Sequence, residues 1–265
     1  ALAKIAHDNG IPLIIDNTFA SPVLCRPIEW GANVVIHSTT KYISGNGNVI
    51  GGAIIDGGNF DWSAFPDKFP GIAKPDPAYH NIVFADKFGS SALYAKLHMA
   101  LIRDLGGCQS PFDAYLLRLS LGTLPLRMER HSNNALEVAK YLEGHPSVEW
   151  VSYPGLASHP QNDMAKVYLK DGCGGMIAFS IRGGIQAGKM FIESLDLIGH
   201  MANLGDSRTI VIHPASTTHS QLTPEQRAAA GVGEGLIRLS VGLEDISDII
   251  EDLASALSAA SAQDR

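Results

Sequence analysis

Two short apolar runs, each stopped by a polar group, constrain this chain most. Residues 11–15 (Ile-Pro-Leu-Ile-Ile) end in Asp16, Asn17 and Thr18, and residues 32–36 (Ala-Asn-Val-Val-Ile) end in His37, Ser38, Thr39, Thr40 and Lys41. Each run reads as a buried strand, too short for a helix and bounded by turn formers. In open parallel α/β sheets, ligands gather at the carboxyl ends of the strands. Asp16 and Lys41 are therefore predicted to face one crevice. A lysine flanked by the hydroxyls of Ser38 and Thr40, with a strand-end carboxylate, suits pyridoxal phosphate. The amine forms the Schiff base, the carboxylate keeps the ring nitrogen protonated, and the hydroxyls take phosphate oxygens.

The rest of the chain supports a folded α/β protein. Its 265 residues are 45% hydrophobic and 18% charged, enough for one large domain or two smaller ones. The net charge of −7 comes without clustered Lys and Arg, which argues against nucleic-acid and membrane-surface partners. Cys25, Cys108 and Cys173 are three and far apart, with no disulfide or metal spacing, so a reducing, cytoplasmic setting is expected. No apolar stretch approaches the ~18 residues that span a bilayer. The first residues have no apolar core of signal length. Residues 1–9 read as the last turns of a helix ended by Asn9 and Gly10, with no cap before it. The expectation is that an upstream part exists.

Residues 49–55 read as a third strand, and residues 56–80, rich in Gly, Pro, Asp and aromatics, as a long ordered excursion. Helices are predicted over 92–103, over 114–121 and from Leu126, the last with Leu136, Ala139 and Leu142 as its buried stripe. Past Pro146 the pattern is α+β. Strands are expected at 148–153, 175–181 and 236–241, with a helix at 187–195 and a terminal amphipathic helix marked by Ile246, Ile249, Ile250, Leu253 and Leu257. A domain boundary is placed near 122, giving 1–122 and 123–265. The tail from Ser258 is expected to fray.

Each candidate has a plainer reading. Lys41 could be a solvated surface group, although no other lysine combines a preceding strand with flanking hydroxyls. Asp16 followed by Asn17 is also good turn chemistry. Gly45 and Gly47 lack the third glycine and the following helix of a dinucleotide fingerprint, and read instead as tight turns beside the lysine. His213 and His219 fit no compact zinc spacing and read as loop hydrogen-bonders. Arg238 sits in an alternating strand. It is an edge residue, half of an ion pair, or a fork for a carboxylate.

Taken together, the segments around Asp16, Lys41 and Arg238 (Asp-Asn-Thr-Phe-Ala-Ser-Pro, His-Ser-Thr-Thr-Lys-Tyr and Ile-Arg-Leu-Ser-Val-Gly-Leu-Glu-Asp) resemble the Cys/Met-metabolism family of PLP enzymes. The likeness runs along essentially the whole chain. Three segments look most like its O-acetylhomoserine sulfhydrylase branch, at 68–80, 203–206 and 212–222. The resemblance implies an aspartate-aminotransferase-like (type I) α/β fold, here the later part of the large domain plus a smaller α+β domain. It implies tetramers of tight dimers and a γ-replacement of acetate on O-acetylhomoserine by sulfide or a small thiol. Lys41 is implied to hold the cofactor, Asp16 to pair the pyridinium, Ser38 and Thr40 to bind phosphate, and Arg238 with Asn203 to grip the substrate α-carboxylate.

Two departures stand out. The loop after Lys41 reads Ser44-Gly45-Asn46-Gly47-Asn48, where many relatives carry Gly-Gly-His-Gly-Thr. The family's amino-terminal arm, phosphate loop and ring-stacking aromatic are expected upstream of Ala1. Rival readings are a γ-lyase or cystathionine γ-synthase using the same groups, a cofactor-free Schiff-base aldolase, and an inactive fragment or assembly partner.

Overall fold

The computed structural model describes residues 1–261, which form two compact units. The first comprises Ala1–Thr18, Arg26–Thr39 and Ile50–Tyr115, and the second Phe19–Cys25, Thr40–Val49 and Leu116 onward.

The first unit is built on a three-stranded sheet of β1 (Ile14–Asp16), β2 (Val34–Ser38) and β3 (Gly52–Asp56), in that order. β1 and β2 are parallel and β3 is antiparallel to β2. The strand expected from Ile11 begins only at Ile14, because Pro12 has no N–H to give and Leu13 N–H is taken by Asn33 Oδ1 at 2.8 Å. Asp16 pairs with Ile36, and Ile36 with Ile54, so these three side chains share one face.

The expectation of full burial fails on that face, where Ile14 is 51% and Ile54 56% exposed. The strand pattern sets which face is apolar. What covers it depends on other elements, which a run of isoleucines does not specify. The excursion after β3 is ordered, as expected. Phe60, Trp62 and Phe69 meet edge to face at 4.8–5.7 Å, and Asp76 bonds Lys96 at 2.5 Å in a largely buried pair. The expected 92–103 helix runs to Leu105 and passes through a π-helical stretch at Leu97–Ile102.

The second unit holds a five-stranded sheet, ordered β4 (Val148–Ser152), β5 (Met176–Ile181), β8 (Leu236–Ser240), β7 (Ile210–Ile212) and β6 (Gly199–His200). All its pairs are antiparallel except β6 with β7. Helices Leu124–Glu143, Gly184–Glu193 and Ile246–Ser261 pack on one face, where Val138, Leu142, Phe179, Phe191, Ile237, Leu239, Leu253 and Leu257 form a dry core. Ile237 and Leu239 point into that core, so Arg238 between them projects from the opposite face. β6, β7 and the helix Asn162–Tyr168 were not predicted, their apolar runs being only two or three residues long. The terminal helix continues past the expected fraying point at Ser258 as far as Ser261, and residues 262–265 lie outside the described residues. Among the described residues no helix is long and apolar enough to cross a membrane.

His131 lies fully buried on helix Leu124–Glu143, with Nδ1 donating to Val241 O at 2.7 Å. Burial pushes its pKa down to about 4. The Val241 bond and Asp206 oppose that shift and Arg127 adds to it. An unfolded histidine titrates near ~6.5. Between these values the unfolded chain binds more protons, so the neutral ring stabilises fully above ~6.5 and that contribution is lost as pH falls toward about 4. Lowering pH from 7 to 5 is expected to remove about 2 kcal/mol through this residue. His37 and His213, whose pKa values burial also lowers, act in the same direction. Urea midpoints of the protein and of His131→Asn at the two pH values check this, since the variant should lose less between them.

Candidate active site

Lys41 is the second residue of the segment Thr40–Val49 of the second unit. The segment turns back sharply: Gly45 N–H donates to Lys41 O at 2.8 Å, with Gly45 at φ +71° and Gly47 at +63°. That is the role expected for these glycines. Residues 203–207 lie against the lysine's own backbone. A Cβ on Gly205 would stand 2.6 Å from Tyr42 N and 3.0 Å from the Lys41 carbonyl carbon, and Gly205 also has a φ of +73°. Gly205 N–H is held by Ser240 Oγ at 2.9 Å, and Ser207 N–H by Gly45 O at 2.7 Å.

From this close contact Lys41 Nζ donates to Asn203 Oδ1. Arg238 approaches the same residue from β8, with Nη2 3.5 Å from the Asn203 carbonyl oxygen. One asparagine thus meets both the amine and the guanidinium. Next along the chain, Asp206 is 2% exposed. Burial would raise its pKa, but hydrogen bonds and charge from Arg208, whose Nη2 is 3.0 Å away, hold it below the usual range.

Asp16 ends β1 in the first unit. Its Oδ1 accepts from Thr18 Oγ1 at 2.5 Å and from Thr18 N–H at 3.0 Å, in an Asx turn. These bonds hold its carboxyl below the usual range against a small burial effect, with help from His37. Thr18 Oγ1 in turn accepts from Ser38 N–H at 2.8 Å, tying the ends of β1 and β2 together. His37 is buried, and burial lowers its pKa although the charge of Asp16 opposes that. His37 Nδ1 and Thr39 Oγ1 are buried without a partner among the described residues.

The candidates therefore fall into two groups. Lys41, Thr40, Asn203 and Arg238 belong to the second unit, and Asp16 and Ser38 to the first. Sequence reasoning missed Thr18 as the residue whose hydrogen bonds lower the Asp16 pKa, although Asp-x-Thr is an Asx-turn pattern. It also missed Gly205, which no simple motif marks. His213 hydrogen-bonds loop residues as expected, Ser216 Oγ at 2.8 Å in its own loop and Glu234 O at 2.7 Å in the segment before β8.

A strand-end carboxylate that stays ionised fits a protonated pyridine nitrogen, so the Asp16 site suits pyridoxal phosphate on its own chemistry. A sequence profile of the Cys/Met metabolism PLP-dependent enzymes matches residues 1–258. A homocysteine synthase of Schizosaccharomyces pombe is 48% identical over 98% of this chain and 61% of its own length. An O-acetyl-L-homoserine sulfhydrylase of Leptospira meyeri is 47% identical over 97% of this chain and 60% of its own. A crystal structure from Campylobacter jejuni that carries a pyridoxyl-lysine monophosphate matches with a TM-score of 0.89 and 36% identity, over 97% of this chain and 61% of that one. The chain spans about three-fifths of the length of these relatives.

Proposed function

The chain belongs to the Cys/Met metabolism PLP-dependent enzyme family, and on that premise we propose that it replaces the acetate of O-acetylhomoserine with sulfide or a small thiol. Homocysteine and acetate are the products with sulfide, and methionine and acetate with methanethiol. The observation that carries this reading is Asn203, which meets the Lys41 amine through its side chain and the Arg238 guanidinium through its carbonyl. A base and a carboxylate clamp held on one residue are what a proton shift beside an amino-acid carboxylate requires. The names of the relatives support the choice of substrate.

Bound pyridoxal phosphate supplies an electron sink for the bonds at the substrate's Cα. Lys41 would anchor that group and then, as a free amine, take the proton from Cα and later return one. Asp16, whose pKa the Thr18 hydrogen bonds lower, would hold a proton on the ring nitrogen. Ser38 and Thr40 offer hydroxyls to the phosphate. Arg238 grips the α-carboxylate with its planar fork, which orients Cα toward Lys41. Lys41 would then take a second proton, from Cβ, as acetate leaves Cγ, and a proton would return to Cβ as the thiolate adds at Cγ.

The same reading makes the protein a cytoplasmic homotetramer, resting on the family resemblance and on three cysteines that form no disulfide among the described residues. A mass measurement in solution that gives a monomer would contradict the tetramer. Substrate profiling tests the activity. Acetate and homocysteine released from O-acetylhomoserine with sulfide support it. Cleavage of methionine or cystathionine to a 2-oxo acid, or use of O-succinylhomoserine with cysteine, would place the protein in a sister activity instead. Arg238→Leu is expected to lower kcat/KM for O-acetylhomoserine by roughly 100-fold, mainly through KM, because a charge-assisted pair is lost. Steady-state kinetics check this.

A further inference from the structure

Helix Leu124–Glu143 carries a row of buried polar side chains that the chemistry above does not use. Arg127, His131 and Asn134 are spaced four and three residues apart and so lie on one helix face. All three are at least nine-tenths buried, and all three reach main-chain carbonyls. Arg127 Nη1 donates to Tyr42 O at 2.6 Å, and Nη2 to Ile43 O at 3.1 Å and Ser120 O at 3.0 Å. Its Nε donates to Thr123 Oγ1 at 3.2 Å. His131 donates to Val241 O, and Asn134 Nδ2 to Gly242 O at 3.1 Å and Glu244 O at 2.9 Å.

A guanidinium buried this deeply usually faces a carboxylate. Among the described residues none of the polar contacts of Arg127 is to a carboxylate. Its fork closes on the two residues directly after Lys41, and Gly45 leaves it room: a Cβ there would stand 2.3 Å from Nη1. The next residues along the same helix face hold the chain just after β8, three residues past Arg238. One rigid helix thus grips the backbone beside the lysine and the backbone beside the arginine.

We propose that Arg127 is a positioning residue for the lysine chemistry, fixing the Lys41 backbone by taking the Tyr42 and Ile43 carbonyls in its fork. It touches neither substrate nor cofactor. Without it the Tyr42 and Ile43 carbonyls lose their charged donor, and Lys41 loses its fixed aim at Asn203. A displacement of about 1 Å at a reacting group costs on the order of 100-fold in rate. Arg238 is carried by β8, which Arg127 does not touch, so substrate binding is expected to change little.

The inference rests on Lys41 being the cofactor-bearing lysine. Its test uses the full-length protein loaded with pyridoxal phosphate, comparing wild type with Arg127→Met, Arg127→Lys and Thr123→Val. Thr123 is exposed, so its variant keeps the guanidinium buried and removes only one of its acceptors. Arg127→Met is expected to lower kcat at least 30-fold with KM within about threefold, and to shift the pH midpoint of the cofactor's visible absorbance. Arg127→Lys, with three donors for the same carbonyls, recovers part of both, and Thr123→Val loses about threefold in kcat alone. Hydrogen exchange at Tyr42–Gly45 rises in each variant while β5 stays protected. If Arg127→Met does not fold, the other two variants and their exchange decide. Unchanged kcat, unchanged absorbance titration and unchanged exchange in the folded variants overturn the proposal. Wild type that holds no cofactor on Lys41 overturns the reading beneath it instead.

Discussion

Lys41→Ala is expected to abolish turnover, by at least about 1,000-fold, while leaving the protein folded. The size follows from two separate losses. General-base catalysis by a positioned group contributes roughly 100- to 10,000-fold. On the proposed reading the same amine also anchors the cofactor, so its removal would delete covalent attachment as well. Stability should hardly change, since the amine's contact is with Asn203 and truncation leaves the close packing of Gly205 on the Lys41–Tyr42 backbone in place. Steady-state assay with O-acetylhomoserine and sulfide, beside a thermal melt, checks both parts. A folded variant turning over within tenfold of wild type would contradict the assigned role.

Asp16→Asn is expected to lower kcat by roughly 100-fold or more. Asparagine keeps an acceptor for the Thr18 hydroxyl and amide, so the Asx turn and its tie to Ser38 should persist. What disappears is the negative charge. An ion pair with the carboxylate would hold a ring nitrogen protonated, and a loss of about 2.7 kcal/mol there corresponds to a 100-fold drop. Arg238→Leu should weaken substrate binding first, so the two variants separate in a kcat and KM comparison. Equal kcat in Asp16→Asn and wild type would remove the carboxylate from the scheme.

The strand ends that carry Asp16 and Ser38 were legible in the sequence. An apolar run that stops at Asp16 or at Ser38 marks the carboxyl end of a strand, whatever surrounds it. The α/β fold and the PLP-dependent family membership follow the same motifs and agree with the profile and structural matches. Other features were not legible for physical reasons. The burial expected for Ile14 fails because burial depends on a covering layer that periodicity does not report. β7 spans only Ile210–Ile212, and a three-residue run carries no period. Arg127 and His131 read as ordinary polar residues on a helix, because the stripe reading counts apolar positions and passes over buried polar ones. Asn203 came from resemblance alone, and its place between Lys41 and Arg238 needs two segments far apart in sequence to meet. The pairing of Gly205 with the Lys41 backbone is likewise a long-range fact.

The central claim is that Lys41 carries the cofactor. Borohydride reduction of the protein with added pyridoxal phosphate, followed by peptide mass mapping, tests it most directly. The account predicts one stable pyridoxyl adduct, on the peptide containing Lys41 and absent from Lys41→Ala. An adduct on a different lysine, or equal labelling of the Lys41→Ala variant, would contradict it.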